Sequence, residues 1–95
     1  MSKITERWSL YIIEASDASL YTGITTDVDR RFDEHLNGPK RAKFFNGRRP
    51  LSVVYREDGH SRQSASRREA EIKKFSRIEK QRLISAWRQS CPDHG

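Results

Sequence analysis

The 95-residue chain, of 11.1 kDa, has room for one domain spanning 1–95. That size excludes a second domain with its own active site and a full doubly wound dinucleotide fold. A hydrophobic share of only 34% predicts a modest, single-layered core, while 19 Lys and Arg against 13 Asp and Glu leave a net charge of +6 and point to a polyanionic partner.

In chain order, Trp8–Glu14 is rich in aromatic and branched residues and predicts a strand. Ser16, Asp17 and Ser19 supply turn chemistry, and Leu20–Ile24 resumes as a second strand, so the two should pair as an antiparallel hairpin. Alternation puts Trp8, Leu10 and Ile12 on one face and Ser9, Tyr11 and Ile13 on the other. In the partner, Tyr21 and Gly23 oppose Leu20, Thr22 and Ile24. A register pairing Tyr11 with Tyr21 or Gly23 would gather both tyrosines on one face.

Thr25 or Thr26 is the expected cap of a helix over about Asp27–Asn37, with Asp27 and Asp29 in its first turn and Gly38-Pro39 as terminator. Val28, Phe32 and Leu36 form its apolar stripe, and Arg31 and His35 lie along that stripe one turn apart, whereas Arg30 points away. The segment Pro39–Pro50 is basic and rich in turn residues, with Phe44-Phe45 as its apolar anchor and room for a short helical turn. Leu51–Arg56 predicts the third strand, ended by Glu57-Asp58-Gly59, with His60 as further turn composition. A long helix over roughly Gln63–Phe75 follows, and Ser76-x-x-Glu79 is a capping-box signature that opens another, carrying Ile78, Leu83, Ile84 and Trp87. The core is expected over about 8–87, with a frayed tail at 91–95.

Charge is unevenly placed. Residues 1–37 carry four basic and seven acidic side chains, 38–50 five basic and none acidic, and 61–88 nine basic and three acidic. This pattern suggests a polyanion-binding surface beside a separate carboxylate-rich region. The single cysteine, Cys91, excludes an internal disulfide, and with His94 it makes a poor nucleophile site. Three scattered histidines give no zinc set. No apolar run approaches the roughly 20 residues of a membrane span, and no signal-peptide core is present, so a reducing cytoplasm is the expected setting.

In the first C-terminal helix, Ala65, Ile72 and Phe75 define the inward side. Glu69 borders that side and Glu71 projects away. A carboxylate at a core margin is costly unless paired, hydrogen-bonded or holding a metal. The ordinary explanation pairs Glu69 with Lys73, Arg62, Arg67 or Arg68. Tyr11, Tyr21, Arg31, His35 and Glu69 together form an inventory sufficient for phosphodiester hydrolysis. A tyrosine can orient or deprotonate water, arginine matches phosphate oxygens, and one glutamate can hold Mg²⁺ with waters. Packing roles for the two tyrosines, Arg31 and His35 are the competing explanation.

Five stretches carry a family resemblance. They are Ser9-Leu10-Tyr11-Ile12-Ile13, Tyr21-Thr22-Gly23-Ile24, Asp27-x-x-Arg30-Arg31-x-x-x-His35, the basic Gly38–Leu51 loop with Gly47-Arg48-Arg49-Pro50, and Arg68-Glu69-x-x-Ile72-Lys73. From Trp8 to Trp87 the chain resembles the GIY-YIG nuclease domain, closest to its small stand-alone bacterial members. Ser9-Leu10 and Thr22 depart from the usual signatures without removing a chemical side chain. The resemblance implies an α+β fold in which a three-stranded antiparallel sheet is flanked by helices in the order β-β-α-β-α-α.

It also implies a metal-dependent endonuclease cutting DNA, on branched, nicked or single-stranded forms, with RNA an alternative. Tyr11 and Tyr21 correspond to the signature tyrosines, Arg31 to the catalytic arginine, His35 to the active-site histidine, and Glu69 to the ligand of Mg²⁺ (or Mn²⁺). Lys40, Arg41, Lys43, Arg48 and Arg49 are the expected nucleic-acid contacts, and Gly23, Gly38, Gly47 and Pro50 structural positions. The competing functions are a nucleic-acid-binding module with little cleavage and a small interaction subunit whose protein partner supplies specificity. A monomer is the default.

Overall fold

A computed structural model describes residues 7–90. Strands β1 (Trp8–Ala15), β2 (Leu20–Thr25) and β3 (Pro50–His60) form one antiparallel sheet in the order β2-β1-β3, so β1 is central. Helix α1 (Val28–Asn37) follows the hairpin, a 3-10 turn (Lys43–Phe45) lies in the basic loop, and α2 (Arg62–Lys73) and α3 (Arg77–Ser90) complete the described chain. The expected tail at 91–95 lies outside the described residues.

Alternation along β1 decides the layering. Leu10 and Ile12 pack with Val54, Tyr55, Ile72 and Ile84 beneath α2 and α3. Tyr11, Ile13 and Ala15 pack with Val28 and Phe45 on the other face, beneath α1 and the basic loop. The core is therefore double-sided, not single-layered. A short strand buried on both faces supplies both clusters at once, so few apolar residues suffice.

Three local expectations are corrected. The cap of α1 is Asp27, whose carboxylate accepts the Arg30 N–H at 3.0 Å, and Thr25 Oγ1 instead accepts the Asp27 N–H at 3.2 Å to shape the lead-in. Helix α2 ends at Lys73, with Lys74 as its C-cap. Strand β3 does not stop at Arg56. Glu57 and His60 stay in the ladder, and Asp58 within the strand, because a register shift between Trp8 and Leu10 absorbs the surplus residues, with Gly59 at φ +82°. The Ser76–Glu79 capping box is present in both directions, at 2.8 and 3.2 Å.

Thr22 lies opposite Ile12 and so faces the α2 side of the sheet. It is buried, and its hydroxyl has no hydrogen-bond partner. An orphaned buried hydroxyl costs about 1–3 kcal/mol relative to a methyl of the same shape. Thr22→Val is expected to stabilise the fold by about 1 kcal/mol, read as a higher urea midpoint with an unchanged m-value. An unchanged or lower midpoint would show that the hydroxyl is satisfied in solution.

Candidate active site

The hairpin register pairs Tyr11 with Gly23 and Ile13 with Tyr21, which brings both tyrosines to one face. Their ring centroids are 6.2 Å apart. A Cβ on Gly23 would lie 2.6 Å from the Tyr11 hydroxyl oxygen and 2.8 Å from its Cζ, so the Tyr11 ring tip occupies the space that any side chain there would need. The requirement for glycine at this position is close approach, not backbone conformation.

Helix α1 delivers the next two groups. His35, one turn after Arg31, is buried, with Nε2 3.0 Å from the Tyr11 hydroxyl. Its Nδ1 accepts the backbone N–H of Ala42 at 3.2 Å. A ring nitrogen that accepts carries no proton, so the ring proton sits on Nε2 and is donated to Tyr11. Burial, reinforced by the nearby Arg31 charge, pushes His35 down to about 4, so the ring is neutral at pH 7. His35 is thus a donor to the tyrosine, which narrows the broader proton-handling role expected of it.

Arg31 is half-buried, its Nη1 bonded to Glu34 at 2.9 Å and to the Lys40 carbonyl at 3.1 Å. The Tyr11 hydroxyl is held well above the usual tyrosine range, chiefly by burial and then by the Tyr21 hydroxyl. Arg31 pulls it down and Glu69 pushes it up. Charges on α1 and on α2 therefore both act at the Tyr11 oxygen. Of the expected five, Tyr11, Tyr21, Arg31 and His35 share one face, and Glu69 is near enough to be felt there. The Glu69 carboxylate is half-buried and pairs with Lys73 at 3.2 Å, while Glu71 pairs with Arg68 at 2.8 Å on an exposed surface.

The basic loop flanks this cluster. Phe44 and Phe45, which the sequence marked only as an anchor, pack on Tyr21 with centroids 5.2 and 5.1 Å away, and Phe45 lies 4.7 Å from His35. Adjacent phenylalanines in an otherwise basic loop were the available signal. Gly47, at φ +86°, turns the loop, Gly38 closes α1 through its N–H to the Glu34 carbonyl, and buried Pro50 opens β3. Arg41, Arg48 and Arg49 line a cleft of about 440 Å³ that reaches His35. Arg48 is committed to Asp17 at 2.9 Å and stacks over Phe44, whereas Lys40, Lys43 and Arg49 make no side-chain ion pair among the described residues. His60 bonds Glu57 and Ser64 at 2.9 and 2.8 Å, bracing β3 to α2.

The sequence profile of the GIY-YIG catalytic domain matches residues 7–82. The chain therefore belongs to the GIY-YIG family of nuclease domains. It is similar to proteins carrying the UPF0213 designation. That of Haloquadratum walsbyi is 50% identical over 74 residues, covering 78% of this chain and 82% of the relative. That of Desulfotalea psychrophila is 44% identical over 79 residues, covering 83% and 72%. The solution NMR structure of a UPF0213 protein from Bacillus halodurans is 42% identical, with a TM-score of 0.54 over 84% of each chain.

Two outcomes follow from the geometry. Unfolded histidine titrates near 6.5, so as pH falls below that value the unfolded state binds a proton that native His35 refuses until about 4. Stability attributable to this ring is intact above 6.5, falls as pH drops, and levels off near 4, a loss of roughly 3 kcal/mol at most. Urea unfolding at pH 7, 6, 5 and 4 should show a steeper decline for the parent than for His35→Asn, and parallel curves would refute the assignment. Gly23→Ala should displace the Tyr11 ring, cost about 1–3 kcal/mol by overpacking, and remove the Tyr11–His35 bond. The His35 side-chain signals in an NMR spectrum report whether that bond is lost.

Proposed function

We propose that the protein is a metal-dependent endonuclease that hydrolyses phosphodiester bonds in DNA. The observation that carries this reading is the meeting of His35 and Arg31 at the Tyr11 hydroxyl, an oxygen that also feels the Glu69 charge. One half-buried carboxylate whose sole ion-pair partner among the described residues, Lys73, is an exposed lysine suits Mg²⁺, which keeps most of its waters and needs one or two protein carboxylates. Bound at Glu69, a dication would neutralise charge on phosphoryl or leaving-group oxygens.

The chain's own groups do the rest. Arg31 is the charge that favours the Tyr11 phenolate, against burial as the largest opposing influence and a smaller push from Glu69. The Nε2–H of His35 hydrogen-bonds that oxygen without giving up its proton, and fixes its position. Tyr11 takes a proton from water as the water oxygen bonds to phosphorus and the bond to the departing sugar oxygen breaks, and that oxygen takes up a proton from solvent. Arg31 matches the developing phosphoryl charge. Tyr21, half-buried against Phe44 and Phe45, forms the wall beside the reacting phosphate. Lys40, Arg41, Lys43 and Arg49 supply phosphate contacts, with Arg48 available on release from Asp17.

Cleavage should be screened on duplex, nicked, flapped, branched and single-stranded DNA, with Mg²⁺ or Mn²⁺ against chelator. Glu69→Gln, which keeps volume and loses charge, is expected to lower cleavage at least about 10²-fold while folding and salt-sensitive DNA binding persist. Arg31→Ala should lower it by about 10²–10³-fold. Glu71→Gln should retain most activity because its carboxylate lies on the exposed side. Normal cleavage by Glu69→Gln would remove it as the ligand, and no cleavage by the parent on any substrate would favour a pure binding module.

A further inference from the structure

The ladder between β1 and β3 places an unassigned basic residue at the candidate active site. Tyr11 pairs with Arg56, within the regular run Leu10–Glu57, Tyr11–Arg56, Ile12–Tyr55, and directly opposed residues of an antiparallel pair point to the same face. Arg56 therefore flanks Tyr11 on the side opposite Gly23. Two residues along the same face, Asp58 Oδ1 accepts the Ser9 hydroxyl at 2.7 Å and Arg56 Nε and Nη2 at 3.0 and 2.9 Å. These residues open into a cleft of about 880 Å³ lined by Arg7, Ser9, Thr26, Arg56, Asp58 and His60 among others. Arg7 has no ion-pair partner among the described residues, and Nη1 of Arg56 carries no bond there.

The second cleft, bounded by Ser16, His35, Arg41 and Arg49, lies at the other end of the same face. From Ser9 to Ser16 the chain runs seven residues, about 24 Å at the rise of an extended strand. The Tyr11 cluster sits between the two clefts. A chain of phosphates lying over Tyr11 and bound only by the loop would be held on one side of the reacting phosphorus.

We propose that the Arg7–Arg56 cleft is a second phosphate-binding subsite, which holds the nucleic-acid strand on the far side of the bond to be cut. Arg56 presents a planar fork suited to phosphate, and Arg7 adds a mobile-length, exposed guanidinium. Asp58 occupies part of that fork when no strand is present, so it orients Arg56 and competes with the incoming phosphate. The inference rests on the nuclease reading for its ligand, and adds the direction in which the strand crosses the site.

Binding is measured on a Glu69→Gln background, which separates affinity from cleavage, using fluorescent oligothymidylate and a salt series. Each lost phosphate contact lowers the slope of log affinity against log salt by about 0.7 on single strands. Arg7→Gln/Arg56→Gln should lower the slope by about 1.4, and Arg7→Gln alone by about 0.7. Arg82→Gln, on the exposed surface of α3, should leave it unchanged. Asp58→Asn keeps the acceptor for Ser9 and should tighten binding several-fold, the opposite sign to Arg56→Gln. If Arg56→Gln and Asp58→Asn weaken binding equally, the pair is merely structural and the proposal fails. An unchanged slope in the arginine variants, with a normally binding parent, overturns this subsite alone. A parent that binds no oligonucleotide overturns the nuclease reading with it. Should Arg56→Gln fail to fold, the single Arg7→Gln slope still decides.

Discussion

The hydrogen bond between Tyr11 and His35 ties together three parts of the chain that are distant in sequence. Its partners come from the central strand and from α1, and the second ring nitrogen of His35 is closed by the Ala42 backbone in the basic loop. Both side chains are buried, so leaving either polar group without its partner would cost about 1–3 kcal/mol. The relative placement of sheet, helix and loop is thereby narrowed to arrangements that satisfy all of them. The same constraint chooses the tautomer. With Nδ1 taken by a backbone donor, the ring has one proton left to give and one oxygen within reach to receive it. Chemistry at Tyr11 is thus governed by packing several residues away.

Charge in this molecule is distributed differently from what composition suggests. Among the described residues, the acids of the N-terminal third do not gather into a carboxylate-rich region. Asp27 caps α1, Glu34 holds Arg31, Asp17 holds Arg48, and Asp33 holds Asn37. Each of these four acids positions a different neighbour. One of these, Asp17–Arg48, links the acidic third to the basic loop, whereas the other three close within residues 1–37. Exposed pairs of this kind contribute little to stability, and their value lies in orienting guanidinium groups.

Much of this was legible from the chain. Period-two alternation identified both faces of β1, helical spacing selected Arg31 over Arg30 and His35 as its neighbour, and Ser76 and Glu79 announced α3. The features that escaped have physical reasons. A turn-like Glu-Asp-Gly run serves equally well in a bulged strand, because both need a residue with positive φ, so the extension of β3 was hidden. Residue identity carries no mark of which backbone N–H will meet a ring nitrogen, so the role of Ala42 could not be read. Arg56 was invisible as a neighbour of Tyr11 because the β1–β3 register depends on bulges. Glu69 was legible as a marginal carboxylate, and its Lys73 partner is the ordinary helical pairing.

The pairing of Tyr11 with Gly23 sets unequal tolerances to added length. Between Ala15 and Leu20 the chain turns in solvent, with Ala18 at φ +70°. Extra residues there enlarge a loop whose closure entropy grows only slowly with length. One residue inserted within either strand, between Tyr11 and Ala15 or between Leu20 and Gly23, instead shifts the ladder by a single step. A bulge must then absorb it, or every side chain beyond changes face and a substituted residue meets the Tyr11 hydroxyl where Gly23 stood. An insertion scan of the hairpin should accordingly give a plateau over the turn and sharp losses on both sides of it. Relatives of different length are expected to differ at the turn and not within the strands.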